Sequence, residues 1–167
     1  MFKLCNKWRK IFIRIRKIKN VAINIAIYQK YKGDKMEKYK DILDKAYEAM
    51  DNAYAPYSNF HVGACVKTKD GKYFIGANIE NASYGLTNCA ERNAIFQTYS
   101  QGYRQEDIEA LAIVGQGNTL ITPCGACRQV LVELLKRDTP IVLGTGEKVL
   151  VTNIEELMPM AFTNEAL

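Results

Sequence analysis

Apolar positions along the chain fall into two periods. Between Met36 and Ala53, the residues Tyr39, Ile42, Leu43, Ala46, Tyr47 and Met50 recur every three or four positions, the spacing of one face of an amphipathic helix. Pro56, within Ala55-Pro56-Tyr57-Ser58-Asn59, ends that pattern, because it lacks a backbone donor and disfavours helix at the residue before it. His61 to Thr68 and Tyr73 to Asn78 read as two strands around Lys69-Asp70-Gly71-Lys72, and Asp-Gly between such runs signals a hairpin. A polar loop from Glu80 to Asn88 leads into a predicted helix over residues 89–100. Ile108 to Val114 is apolar apart from Glu109, hence a buried strand. A third helix is predicted over residues 124–136, with Val130, Leu131, Leu134 and Leu135 on its apolar face. Short strands follow at 141–143 and 149–151, then one helical turn at 155–158 before Pro159. Helices alternating with about five strands predict an α/β fold, a mixed central sheet flanked by helices. No internal repeat is visible.

Charge divides the chain in two. Of its 167 residues, 23 are Lys or Arg and 18 are Asp or Glu, a formal net charge of +5. Residues 1–35 hold eleven of the bases and a single acid, Asp34, so the remaining residues, 36–167, carry −5. An acidic body does not advertise a nucleic-acid groove, because that affinity comes mainly from neutralising phosphates. The basic stretch has no charge-free run longer than Asn20 to Gln29, and a bilayer needs about 20 apolar residues. Asn24 interrupts what would be the apolar region of a secretory signal, and Ser and Thr are absent where an organelle transit peptide would carry them. The expectation is an extension, residues 1–35, that is disordered or not part of the native protein, with Met36 as the start. Cys5 and Trp8 lie within it and receive no role. Five cysteines without an even framework or a convincing signal predict free thiols, hence a reducing, cytoplasmic compartment with no membrane partner.

Chemistry concentrates in three places: Cys89-Ala90-Glu91-Arg92 opening the second helix, Pro123-Cys124-Gly125-Ala126-Cys127-Arg128 opening the third, and Asn78-Ile79-Glu80-Asn81 upstream. A catalytic zinc usually has three protein ligands and an open position for water. Cys89, Cys124 and Cys127 provide three thiolates for one zinc per subunit, each where a helix N-terminus favours thiolate over thiol. Glu91 lies two residues from a ligand, placed as a general acid–base on metal-activated water rather than as a ligand. Arg92 and Arg128, each adjacent to a cysteine, are candidate donors to sulfur that would offset its negative charge. A glutamate that is not a ligand and moves protons beside zinc is the division of labour in zinc deaminases acting on cytosine.

Together, these motifs resemble the small, homotetrameric, zinc-dependent cytidine deaminases. The resemblance runs from Met36 to the end and includes Ala55-Pro56-Tyr57-Ser58-Asn59-Phe60, Val62-Gly63-Ala64 and Leu157-Met158-Pro159. It implies hydrolysis of cytidine and deoxycytidine to uridine and deoxyuridine plus ammonia, in pyrimidine salvage. It further implies that Asn78 and Glu80 bind the ribose 3′-hydroxyl, that Phe60 stacks on the pyrimidine, and that Phe162 reaches the site of a neighbouring subunit in a homotetramer. Met160 departs from the glycine common at its position.

Other readings of the same residues compete. The cysteines can make a closed structural zinc site with Cys65 or His61 as fourth ligand, which leaves Glu91 without a purpose. A deaminase of a cytosine-nucleoside antibiotic shares the zinc motifs, but the Asn-x-Glu-Asn stretch favours an ordinary ribose. Asn78, Glu80 and Asn81 taken alone are loop residues that satisfy backbone groups, and Phe60 taken alone is a core residue. Tyr57, Tyr73 and Tyr84 are expected to pack.

Overall fold

The computed structural model describes residues 37–163; the basic stretch over residues 1–35 lies outside the described residues. Five strands form one sheet: β1 (Val62–Thr68), β2 (Tyr73–Ala77), β3 (Ile108–Gly115), β4 (Ile141–Gly144) and β5 (Val149–Thr152), in the order β2-β1-β3-β4-β5. All neighbours are antiparallel except β3 and β4, which run parallel. A parallel pair needs a crossover, and α3 (Gly125–Leu134) supplies it. The other helices are α1 (Lys40–Met50), α2 (Ala90–Ser100) and a single turn, α4 (Ile154–Leu157). The mixed sheet flanked by helices matches the sequence expectation, and Gly71 in the β1–β2 turn takes the positive φ of 83° that Asp-Gly foreshadowed.

Side-chain alternation along the strands builds two cores. Ala110, Ala112 and Val114 on β3, with Cys65 on β1 and Val142 on β4, pack with Ile42, Leu43 and Ala46 of α1. Their neighbours in sequence, Leu111, Ile113, Ala64, Val66, Ile141 and Leu143, join Ala90, Ala94 and Ile95 of α2 and Leu131 of α3. One layer of helix therefore covers each group of strand residues, which explains why β3 is apolar from Ala110 onward, with only Glu109 exposed: it is buried on both faces. Helix α3 stops two residues short of the expected Lys136, since Leu135 is extended (φ −120°, ψ 153°) and still fully packed.

Two glycines set how closely helix and sheet approach. A Cβ on Gly63 would lie 2.0 Å from the carbonyl oxygen of Ala46 and 2.5 Å from the amide of Met50 in α1. A Cβ on Gly76 would lie 2.5 Å from the Ala90 carbonyl oxygen and the Ala94 amide in α2. Backbone cannot give way as a flexible side chain does, so Gly63→Ala is expected to lower unfolding stability by about 3 kcal/mol, the upper range for overpacking. Urea denaturation measures this; a change within about 0.5 kcal/mol, the level of ordinary surface substitutions, would show that α1 is not seated as described.

Candidate active site

Cys89 and Cys124 are the N-cap residues of α2 and α3, both in extended backbone, and Cys127 sits in the first turn of α3. The two helices begin near one another because α2 lies on β1 and β2 while α3 follows the end of β3 on the same face of the sheet. The three Sγ atoms come within 4.8 Å of one another, with Cys89 to Cys124 at 4.0 Å and Cys124 to Cys127 at 3.6 Å. Zinc–sulfur bonds of about 2.3 Å at tetrahedral angles require sulfur–sulfur edges of about 3.8 Å. The donor set therefore fits zinc in both chemistry and spacing. Among the described residues, no further His, Cys, Asp or Glu completes this group. Cys65, proposed above as a fourth ligand, belongs to the core on the opposite face of the sheet, where burial pushes its thiol up to about 12.

The protein alone does not make three thiolates. Cys89 falls below the ordinary thiol range, first through a hydrogen bond from Cys127 and then through Arg92. Cys127 rises, through the proton it gives Cys89, its burial and the adjacent Glu91 charge. One sulfur ionises readily and its neighbour resists, a conflict that a divalent cation at the cluster would relieve by favouring every ligand in its deprotonated form.

Glu91 is 5% exposed. Burial raises its carboxyl pKa, with the Cys89 charge adding to the effect and a hydrogen bond with Cys127 working against it. The carboxyl thus sits at the sulfur cluster in an environment that favours holding a proton. Arg92 Nη2 donates to Cys89 Sγ at 3.7 Å and to the Thr87 carbonyl at 3.3 Å. Its buried Nε has no hydrogen-bond partner.

Arg128 is placed differently from the expectation. Its Nε donates to Pro123 O (2.7 Å), its Nη1 to Leu157 O (2.8 Å) and its Nη2 to Thr122 Oγ1 (2.9 Å). Adjacency to Cys127 in sequence did not aim it at sulfur; its donors tie the loop before Cys124 to α4. The next residue, Gln129, donates to the carbonyl of Phe162 at 3.0 Å, so α3 also anchors the C-terminal segment. The Phe162 ring remains 61% exposed and Met160, in front of it, is fully exposed with φ 56°.

The residues expected to hold the sugar and the base are brought together, but through the protein's own loop. Glu80 Oε2 accepts from the amides of Tyr57 (2.8 Å) and Ser58 (3.2 Å), and Oε1 accepts from the Ser58 hydroxyl. These bonds hold the Glu80 carboxyl below the usual carboxylate range, the Ser58 hydroxyl most of all. Asn78 Nδ2 donates to Phe60 O (2.9 Å), and its Oδ1 accepts from Val62 N (2.9 Å). Phe60 itself is 41% exposed rather than core. Tyr57 and Tyr84 do not pack inside; both are exposed and meet edge to face at 5.9 Å.

With this geometry in place, comparison with known proteins is decisive. Residues 36–143 match the family described as the cytidine and deoxycytidylate deaminase zinc-binding region. The chain belongs to the cytidine and deoxycytidylate deaminase family. It is 51% identical to the cytidine deaminase of Halalkalibacterium halodurans over 74% of this chain and 93% of that protein. It is 41% identical to that of Sporosarcina psychrophila over 75% of this chain and 92% of that protein. Among solved structures, the cytidine deaminase of Burkholderia pseudomallei shares 50% identity, with a TM-score of 0.72, 74% of this chain covered and 98% of that one. No described helix of this deaminase-family chain is long and apolar enough to cross a membrane.

Two asparagines in the deaminase site escaped the sequence reading. Asn93 Nδ2 donates to Ala77 O at 2.7 Å, and Asn88 Nδ2 donates to Asn93 Oδ1. Ile79 and Asn88 exchange both backbone bonds, at 2.9 and 3.0 Å. The end of β2 and the helix capped by Cys89 are thereby fixed to each other. Asn93 lies four residues from Cys89, on the same side of the helix, which was the one signal in the sequence pointing to it.

The raised Glu91 carboxyl has a consequence for stability. Below the ordinary carboxylate value of about 4.3, folded and unfolded chains are both protonated and Glu91 contributes nothing. As pH rises, the unfolded chain ionises first, and stability falls until the pH passes the folded value. Metal-free Glu91→Gln is therefore expected to melt with the parent in acid, near the carboxylate range, and above it near neutral and alkaline pH. A parent that melts at or above the variant throughout would contradict the burial of this charge.

Proposed function

We propose that this chain hydrolyses cytidine and deoxycytidine to uridine and deoxyuridine, releasing ammonia, in pyrimidine salvage. The observation that carries the reading is the buried Glu91 carboxyl beside three cysteine sulfurs spaced for zinc, within a family whose region is a zinc-binding one. Cys89, Cys124 and Cys127 would hold the metal, which when bound supplies Lewis-acid activation of water at neutral pH. Glu91 takes one proton from that water and gives it to N3 as the water oxygen bonds to C4. It then takes the second proton from the same oxygen and gives it to the amine, which leaves as ammonia when the C4–N bond breaks; its raised affinity for protons suits it to this. Phe60 offers a half-exposed ring to the pyrimidine. Asn78 and Glu80, which hold the loop of Phe60 from the segment after β2, meet the ribose 3′-hydroxyl. Arg92 offsets thiolate charge through its bond to Cys89. The deaminase domain spans residues 36–167, after the basic stretch over residues 1–35, in a cytoplasmic protein.

The site is completed in a homotetramer, in which Phe162 reaches a neighbouring subunit. Supporting this, Tyr54, Ile79, Tyr84 and Leu86 are 45–75% exposed on loops next to the site, and exposed apolar groups of this kind mark contacts between proteins.

Ultraviolet absorbance of cytidine with zinc-loaded protein tests the activity. The parent is expected to convert cytidine to uridine, and Glu91→Gln to lose about 10²–10⁴-fold in rate, the range for a positioned acid–base group, while retaining zinc. Folded, zinc-loaded parent that converts nothing would sink the assignment. In sedimentation velocity the active species is expected to be four copies; a fully active monomer would overturn the shared site.

A further inference from the structure

The loop that carries Phe60 is held by a relay that neither the sugar-binding nor the base-binding role explains by itself. Ser58 stands at its centre. Its hydroxyl donates to Glu80 Oε1 and accepts from the Phe60 amide at 3.0 Å. Its own amide donates to Glu80 Oε2 at 3.2 Å. The residue between, Asn59, is forced to a φ of 55°, which turns the chain so that the hydroxyl of Ser58 can face the amide two residues on. The end of the turn is pinned by Asn78, which binds the Phe60 carbonyl and the Val62 amide. Behind it, the amide of Tyr54 donates to Asn78 O at 3.0 Å and that of Glu80 to Tyr54 O at 2.8 Å.

We infer that Ser58 is a positioning residue that couples recognition of the sugar to recognition of the base, aiming Glu80 with one side of its hydroxyl and the Phe60 backbone with the other. The inference rests on the proposed roles of Glu80 and Phe60. A carboxylate oxygen that accepts from Ser58 keeps a lone pair for a ribose hydroxyl, in an orientation fixed by three donors rather than chosen among rotamers. A hydroxyl that is at once donor and acceptor links its two partners, since polarisation along such a chain strengthens each bond. Loss of the hydroxyl leaves the Glu80 carboxylate with backbone donors on Oε2 alone and frees the Phe60 amide. Ser58 is solvent-exposed, so removing its oxygen opens no cavity in the core.

The test compares cytidine with 3′-deoxycytidine, which lacks only the hydroxyl that Glu80 is proposed to read. In the parent, kcat/KM for the 3′-deoxy substrate is expected to be about tenfold or more lower, as for one lost hydrogen bond to a charged group. In Ser58→Ala that ratio is expected to shrink to about twofold, mainly through a higher KM for cytidine, and Ser58→Thr is expected to restore it. A merely structural role would reduce the active fraction and affect both substrates alike, leaving the ratio where it was. An unchanged ratio in folded Ser58→Ala overturns the inference, and Ser58→Gly reads the same quantity should the alanine variant not fold. Failure of the parent to convert cytidine at all marks failure of the proposed function instead, and is seen before any variant is compared.

Discussion

Three cysteine sulfurs and a buried carboxyl share a few ångströms, and as anions they repel one another. Left to local preferences they would separate, or keep their protons, as Cys127 does when Cys89 ionises. The architecture exists to prevent separation. Helix α2 is pressed against β2 where Gly76 leaves no room for a side chain, and α3 starts where the loop after β3 delivers it. Each helix presents its N-terminus, and with it the partial positive charge of unsatisfied amides, to the sulfur cluster. Arg92 adds a full positive charge. A divalent cation held by these sulfurs would finish what dipoles and one arginine begin.

The surrounding polar contacts extend this frame to the substrate side. Asn93 joins the helix that begins at Cys89 to the end of β2, and the Ile79–Asn88 bridge joins the segment after β2 to the residue before Cys89. Asn78 and Glu80, on that strand end, hold the loop of Phe60. The groups proposed to bind sugar and base are therefore rigidly related to the groups proposed to activate water. Such preorganisation matters because a proton transfer tolerates little error in distance. Arg128 performs the corresponding task on the other side, connecting the Cys124 loop to α4, and Gln129 holds the segment of Phe162.

Much of this was legible in the amino-acid sequence. Periods of 3.6 and 2, together with Pro56 and Asp70-Gly71, determined the helices, the hairpin and the kind of sheet, because they report which faces each segment must bury. The spacing of Cys89, Cys124 and Cys127 pointed to a zinc site, because three thiols so spaced at helix N-termini suit one tetrahedral metal. Partners of long polar side chains were not legible. Arg92 and Arg128 each stand beside a cysteine, yet one donates to sulfur and the other to carbonyls 5 and 29 residues away. Glu80 and Asn78 read as ligands for a sugar and are also the clamps of a loop some 20 residues earlier. Tyr57 and Tyr84 read as packing residues and stand in solvent. Local pattern carries burial and spacing; the choice of hydrogen-bond partner depends on which remote backbone atoms the fold delivers within reach, and that only the tertiary structure decides.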